Sequence, residues 1–251
     1  MDFSDPAQAA ASWALHSGLP REGPGDRASV ERSLALARPL PPAPAVLDLG
    51  CGPGGQTLDL AELMPDARIT ALDYHEPFLR ELERRAAERG LSGRVTAVHG
   101  DMARLPFAPE SFDLIWCEGA AYVVGLDAAL SGWKPLLRPG GVLALTEPVW
   151  LADDPPPRAR ACWAEYEEMG TPETVRAKAL AHGWQVKGDF VLGPGAWWAN
   201  YYVPMEARLA RLEAEARDDA DRLVLAEARE EIACFREHGD RYGYLFVVLA
   251  A

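Results

Sequence analysis

The 251-residue sequence predicts an α/β fold in which helices cover a mostly parallel sheet. Two observations carry that prediction. From residue 45 onward, short apolar runs alternate with longer amphipathic stretches, the pattern of successive strand-helix units. The first of those runs, Val46-Leu47-Asp48-Leu49, passes straight into the glycine cluster Gly50-Cys51-Gly52-Pro53-Gly54-Gly55, as a strand does when it enters a helix through a ligand-binding turn.

Before the alternation begins, Arg21-Glu22-Gly23-Pro24-Gly25-Asp26 reads as a turn. It leads to a helix over residues 29–36, with Asp26 or Ser29 as its N-cap, and Pro39, Pro41, Pro42 and Pro44 end it. Strands are predicted at 45–49, 68–72, 94–98, 112–116 and 141–146, with helices at 56–63, 76–89, 103–105 and 126–137 after the first four. Asp153-Asp154-Pro155-Pro156-Pro157 breaks the alternation. A polar, Trp-rich helix then begins near Arg158 and a shorter one covers 171–182, followed by a sixth strand at 184–192, charged helices within 203–238, and a seventh strand at 244–249. Glu and Arg at helical spacing make 203–238 read as a solvated face. The whole chain reads as a single domain, with 1–44 as an N-terminal lid or cap, 45–150 as a cofactor-binding core, and 151–251 as substrate-covering helices plus the last two strands.

Hydrophobic residues make up 49% of the chain and charged ones 25%, enough to build a packed core. A formal charge of -13 argues against a nucleic-acid partner, which needs clustered Lys and Arg against phosphates. Cys51, Cys117, Cys162 and Cys234 show neither zinc spacing nor a disulfide framework, so they read as reduced thiols and no metal is expected. The opening residues lack a basic region before an apolar one, and no apolar run approaches the ~20 residues that span a bilayer. The expectation is a cytoplasmic protein of unspecified oligomeric state.

Glycine spacing leaves the cofactor open: Gly50, Gly52 and Gly55 satisfy GxGxxG, while Asp48, Gly50, Gly52 and Gly54 satisfy DxGxGxG. Charge decides between them. A carboxylate at Asp48 repels a pyrophosphate but suits a cofactor carrying a sulfonium and an ammonium, which points to S-adenosylmethionine. Asp73 closes the second strand, where it can accept ribose hydroxyls or simply cap the next helix. After the third strand, Asp101 can accept the adenine amino proton while Met102 lies on the ring. Glu118 emerges at the end of the fourth strand, on the carboxyl edge where open α/β sheets bind ligands.

From Val46-Gly55 through Asp73, Gly100-Asp101 and Phe112-Glu118 to Leu137-Arg138-Pro139-Gly140-Gly141, the sequence resembles the class I S-adenosylmethionine-dependent methyltransferases over about residues 40–150. The resemblance implies a Rossmann-like, seven-stranded sheet with an antiparallel last strand, helices on both faces and helical insertions after strands five and six. It also implies a cofactor site made of Asp48, Gly50, Cys51, Gly52, Gly54, Gln56, Thr57, Asp73, Tyr74, Asp101, Met102, Glu118 and Gly119, with S-adenosylhomocysteine as product. Glu118-Gly119-Ala120-Ala121-Tyr122, the Trp150 region, Trp197-Trp198 and Tyr242-Gly243-Tyr244 resemble a bacterial small-molecule subgroup similar to the ubiquinone- and menaquinone-biosynthesis methyltransferases.

Methyl transfer from a sulfonium needs alignment and, for some acceptors, a base. Glu118 and Tyr122 are the catalytic candidates, with Glu147 and His16 behind them; Glu147 alternatively pairs with an arginine. Tyr122, Trp150, Trp197 and Tyr201 are expected to line an aromatic or cationic small-molecule acceptor, while Trp163 and Tyr166 read equally well as core. The competing functions are an NAD-dependent oxidoreductase, which leaves Asp48 and Asp101 unexplained, and a non-catalytic S-adenosylmethionine-binding protein.

Overall fold

Along the first strand successive side chains face opposite ways: Val46 packs into one apolar layer, Leu47 and Leu49 into the other. The computed structural model describes residues 5–216 and 218–251, and in it the same two-sided burial runs through a seven-stranded sheet. In chain order the elements are α1 (Pro6–His16), α2 (Arg27–Ala37), β1 (Ala45–Leu49), α3 (Gly55–Leu63), β2 (Arg68–Asp73), α4 (Glu76–Glu88), β3 (Val95–His99), β4 (Phe112–Cys117) and α5 (Leu126–Gly132). They continue as β5 (Leu137–Trp150), α6 (Pro157–Cys162), α7 (Pro172–Ala181), β6 (Gln185–Val191), α8 (Pro194–Trp197), α9 (Val203–Glu215), α10 (Asp219–His238) and β7 (Tyr242–Ala250). A π turn, Trp198–Tyr202, joins α8 to α9.

The strand order is β3-β2-β1-β4-β5-β7-β6. Neighbours from β3 to β5 pair in parallel, and β7 runs antiparallel between β5 and β6. The chain leaves β1 in one direction for β2 and β3, then crosses back to lay β4 on its other side. That reversal opens a crevice between the carboxyl ends of β1 and β4, the place where such sheets bind ligands. One apolar layer joins the sheet to α1, α2, α3, α4, α9 and α10; the other joins it to α5 and α7. The Rossmann-like expectation, with helices on both faces and the last strand antiparallel, is therefore met.

Several local expectations change. Asp26, not Ser29, caps α2, its carboxylate accepting the Ser29 amide proton at 2.7 Å. Helix α1 was not predicted; its sequence is alanine-rich, and only Ala11, Ser12 and Leu15 are buried. Residues 103–105 form a turn in which the Asp101 carboxylate accepts from the Ala103 amide, so β3 and β4 have no helix between them. The helix expected to reach 137 stops at Gly132, and β5 begins at Leu137.

The expectation of four reduced thiols is also corrected. Cys51 and Cys117 are free and buried, whereas Cys162 of α6 and Cys234 of α10, 72 positions apart, form a disulfide. Sequence spacing held no sign of it, because the two sulfurs meet only once α6 folds back onto α10. No described helix is long and apolar enough to cross a membrane.

Candidate functional site

The glycine loop after β1 is shaped by what crowds it. Gly50 and Gly54 hold φ of 68° and 90°, a left-handed region costly for other residues. A Cβ on Gly50 would lie 2.5 Å from that of Ala120, and one on Gly54 would lie 2.3 Å from Cδ1 of Leu82 in α4. The loop is latched from the neighbouring strand β2: the amides of Gly50 and Cys51 donate to the Leu72 carbonyl at 2.9 and 3.1 Å. Asp73 completes the latch, taking the Gly52 amide at 2.8 Å on one oxygen and the His75 amide at 2.8 Å on the other. Burial nevertheless pushes the Asp73 carboxyl upward.

Asp48 is fully buried beneath the loop. Its oxygens accept from the Thr57 hydroxyl at 2.5 Å and from Gln56 Nε2 at 3.5 Å, and the same amide reaches the Cys51 carbonyl at 3.2 Å. Asp48, Gln56 and Thr57 therefore brace the loop from below, and desolvation lifts the Asp48 carboxyl to about 7. Cys51 is buried with its thiol against the Gly52 carbonyl.

On the rim, Tyr74 is 74% exposed and its ring tilts toward His99, while Asp101 and Met102 are partly open. The Met102 methyl would sit 3.2 Å from a Cβ on Gly50, so it borders the loop directly. Gly119, at φ 65°, donates its amide to the Thr146 hydroxyl at 2.7 Å and so ties the end of β4 to β5.

Glu118 is buried and engaged. It accepts from the Trp116 indole at 2.8 Å and from Arg21 at 3.0 Å, and Arg21 also holds Asp59 of α3 at 2.8 Å. Desolvation raises the Glu118 carboxyl and Arg21 offsets part of that rise. The segment bearing Arg21 lies against the glycine loop: a Cβ on Gly52 would lie 3.2 Å from Glu22 Cγ, and Arg85 of α4 donates to the carbonyls of Leu19, Pro20 and Pro53. Glu22 takes a 2.6 Å bond from His16, while its other oxygen is buried with no partner among the described residues. Trp13 of α1 stacks on His75, 3.8 Å between centroids, completing the cover.

This donor set can hold a cationic ribonucleoside. Asp73, Glu22, Asp101 and Glu118 surround the loop, and the two arginines beside it, Arg21 and Arg85, are occupied by carboxylates and carbonyls. A pyrophosphate would meet carboxylates there, and Arg21 and Arg85, the described cations beside the loop, are already engaged. No group of described residues forms a metal cluster.

A second polar group lies at the carboxyl ends of β4 and β5. Tyr122 and Glu231 of α10 keep exposed surface, yet the groups packed around them desolvate both and push both upward, the Tyr122 hydroxyl to about 12. Exposed side chains so surrounded stand in an open recess, a chamber at the edge of the sheet. The Tyr201 and Tyr202 hydroxyls hydrogen-bond with Glu231, at 3.1 Å for Tyr202, and Tyr201 also feels Tyr122 and Glu22, which links this chamber to the glycine loop. Glu147 of β5 is 2% exposed and accepts from the Tyr166 hydroxyl, not from an arginine.

The aromatic residues differ in burial. Tyr122 is 38% exposed, Tyr201 is buried beside Glu231, and Trp150 is half-buried with its ring at 82° to that of Tyr242. Trp197 is 3% exposed, and its ring stacks on Phe235 at 4.3 Å and Tyr244 at 5.2 Å. Trp163 likewise packs on Tyr242 and Tyr244. Sequence reasoning missed Glu22 and Glu231. Glu22 sits beside a recognised turn, a weak signal; Glu231 shares its helix with solvated acids such as Glu230 and Glu237, so nothing in its spacing marks it out.

Residues 46–141 match a protein family described as a methyltransferase domain. Nocamycin O-methyltransferase of Saccharothrix syringae is 38% identical over 140 residues, 55% of this chain and 47% of that protein. A sterol 24-C-methyltransferase of Gibberella zeae is 31% identical over 125 residues, 49% of this chain and 32% of that protein. The chain thus spans a third to a half of the length of these curated relatives. A methyltransferase from Geobacter sulfurreducens, solved in complex with S-adenosyl-L-homocysteine, superposes over 96% of this chain and 97% of that one, with a TM-score of 0.81 at 24% identity, a likeness of fold.

Proposed function

From the methyltransferase domain carried on residues 46–141, we propose that the protein transfers a methyl group from S-adenosylmethionine to a small-molecule acceptor. The observation that carries this reading is the glycine loop latched by Asp73 and ringed by carboxylates, with the arginines beside it, Arg21 and Arg85, already engaged. When bound, S-adenosylmethionine supplies an electrophilic methyl on a sulfonium. In this reading Gly50, Cys51, Gly52 and Gly54 leave the backbone bare for it, Asp48, Gln56 and Thr57 hold the loop in shape, and Asp73 accepts ribose hydroxyls through the lone pairs its two amide bonds leave. Tyr74, Asp101 and Met102 border the adenine; Glu118 and Gly119 close the methyl-bearing end.

Glu118 already carries Arg21 and the Trp116 indole, so its proposed part is electrostatic and positional; Tyr122, with its hydroxyl held neutral, orients the acceptor. Residues 16–25 form a lid whose Glu22 lies over Gly52. The acceptor lies among Tyr122, Trp150 and Tyr201 and is aromatic or cationic, in keeping with an acidic, tyrosine-lined chamber. A cytoplasmic setting belongs to the same proposal. Thiols are kept reduced there, so the Cys162–Cys234 bond would open in cells, and mass mapping of protein alkylated before lysis reads its state.

Calorimetry tests the cofactor directly. S-adenosylmethionine and S-adenosylhomocysteine are expected to bind at micromolar concentration and NAD not at all. NAD binding without S-adenosylhomocysteine binding would give the site to an oxidoreductase, and cofactor binding without product from a broad acceptor panel would favour a non-catalytic binding protein.

A further inference from the structure

Outside the cofactor loop the least satisfied buried charge is Glu147. It stands near the carboxyl end of β5, 2% exposed; one oxygen accepts from the Tyr166 hydroxyl, and the other is buried with no partner among the described residues. A buried carboxylate oxygen without a donor costs roughly 1–3 kcal/mol or more, so its retention calls for a donor that arrives from outside. We propose that Glu147, oriented by Tyr166, receives the protonated nitrogen of a small amine and takes its proton, making an amine the acceptor of the methyl transfer. This rests on the methyltransferase reading given above.

The surroundings favour a cation over a neutral or anionic acceptor. Tyr166 sits edge to face with Tyr122, 5.8 Å between centroids, and the Tyr122 hydroxyl feels both Glu147 and Glu231. Two carboxylates thus act on the Tyr122 hydroxyl, beside phenol rings whose faces attract positive charge by ~0.5–2 kcal/mol. The groups facing Glu147 are Tyr166 and Glu168 from the segment after α6, Asp127 of α5, Lys178 of α7, Cys117 of β4, Tyr122 and Tyr244. Lys178 is the cation among them, and it is held by Asp127 at 2.8 Å and by Glu168 at 3.7 Å. On the Glu231 side stands His16, itself hydrogen-bonded to Glu22. Desolvation lifts the Glu147 carboxyl to about 7, which suits a group that accepts and returns a proton near neutrality.

The chemistry balances. An ammonium nitrogen gives one proton to the Glu147 carboxylate and uses the freed pair to form the new nitrogen–carbon bond. The pair of the broken carbon–sulfur bond stays on sulfur, and the methylated amine leaves as a cation. Glu147 then releases its proton to solvent. Tyr166 is a positioning residue, holding the carboxylate so that its free oxygen meets the nitrogen.

The test is calorimetric and does not depend on turnover. The protein is first saturated with S-adenosylhomocysteine, then titrated with phenethylamine, 2-phenylethanol and phenylacetate, from pH 6 to pH 8. The amine is expected to bind at least tenfold more tightly than the alcohol at pH 8, the ratio growing as pH rises through 7, with phenylacetate weakest. Glu147→Gln is expected to abolish the ratio and its pH dependence while leaving S-adenosylhomocysteine affinity within about twofold. Tyr166→Phe is expected to reduce the ratio about threefold, a readout that loss of packing alone would not move. A wild-type ratio near one with S-adenosylhomocysteine bound overturns the amine proposal and leaves the methyltransferase reading standing. A Glu147→Gln protein that keeps the ratio overturns it as well, and failure to bind S-adenosylhomocysteine overturns both.

Discussion

The two halves of the sheet are built by different means. Around β1, β2 and β3 the site is made of backbone: positive-φ glycines, amides donated to Asp73, and carbonyls of Leu72 and Cys51. Around β5 and β7 it is made of side chains brought from the segment after α6, the π turn and α10: Tyr166, Tyr201 and Glu231. Backbone sites demand particular residues at fixed spacings and leave a trace in sequence. A side-chain chamber can be lined by any residues that reach it, so its composition is free to follow the acceptor.

The largest expected effect separates packing from chemistry on the acceptor side. Trp197→Ala removes a ring stacked on Phe235 and Tyr244 and should lower unfolding free energy by about 3–5 kcal/mol. Trp150→Ala, at a half-buried position, should cost well under half of that. Denaturant titration checks both, and equal losses would erase the division drawn between the two tryptophans.

Reduction of the Cys162–Cys234 disulfide, or Cys234→Ser, is expected to cost about 2–4 kcal/mol, because the bridge closes a chain loop of 72 positions in the unfolded state. The bond joins α6 to α10, whose neighbours in sequence supply Tyr166 and Glu231, and leaves the glycine loop untouched. Acceptor affinity should therefore fall while S-adenosylhomocysteine affinity holds; a parallel fall in both would show the halves to be coupled.

Titration gives a third contrast. Glu147 has a folded-state pKa of about 7 against an ordinary 4.5, and Asp48 about 7 against 3.8. Each carboxyl binds its proton more tightly when folded, so its contribution to stability is intact below the unfolded pKa and is lost as pH rises toward 7. The loss is on the order of 3–4 kcal/mol per group at 1.36 kcal/mol per pH unit. Wild-type protein is expected to be more stable near pH 5 than near pH 8. Glu147→Gln should remove part of that slope without weakening S-adenosylhomocysteine binding, whereas Asp48→Asn should remove part of it and disturb the loop held through Thr57 and Gln56.

Legibility in the sequence follows the same division. The seven strands, the parallel order and the glycine loop were readable because apolar periodicity and turn chemistry are local. Asp73 and Asp101 were readable because a strand's end places them. By contrast, Glu231 looks like its solvated helix neighbours, Trp197 looks like a binding aromatic until Phe235 and Tyr244 close on it, and Cys162 meets Cys234 only through tertiary folding. Helix α1 escaped notice because an alanine-rich helix shows little contrast between its faces.

Within the backbone-built half, Asp73→Ala should lower S-adenosylhomocysteine affinity by about 100-fold, or ~2.7 kcal/mol. It removes the proposed ribose contact and also leaves the Gly52 and His75 amides without their acceptor. Asp73→Asn keeps one carbonyl oxygen for one of those amides and should lose less. Equal losses would show that the charge, rather than the latch, matters.

The smallest effect belongs to Tyr74. Its side chain is 74% exposed and touches the protein mainly through a tilted contact with His99, 5.8 Å between centroids. Removing it exposes no core, so Tyr74→Ala should leave stability within about 0.5 kcal/mol. If its ring borders the adenine as proposed, S-adenosylhomocysteine affinity should fall about three- to tenfold, a loss of ~0.6–1.4 kcal/mol. An unchanged affinity would remove Tyr74 from the site and confine recognition in this half of the sheet to the backbone and its acids. Sequence would then have identified that half of the site through glycines and carboxylates alone, with no contribution from the exposed Tyr74 ring beside them.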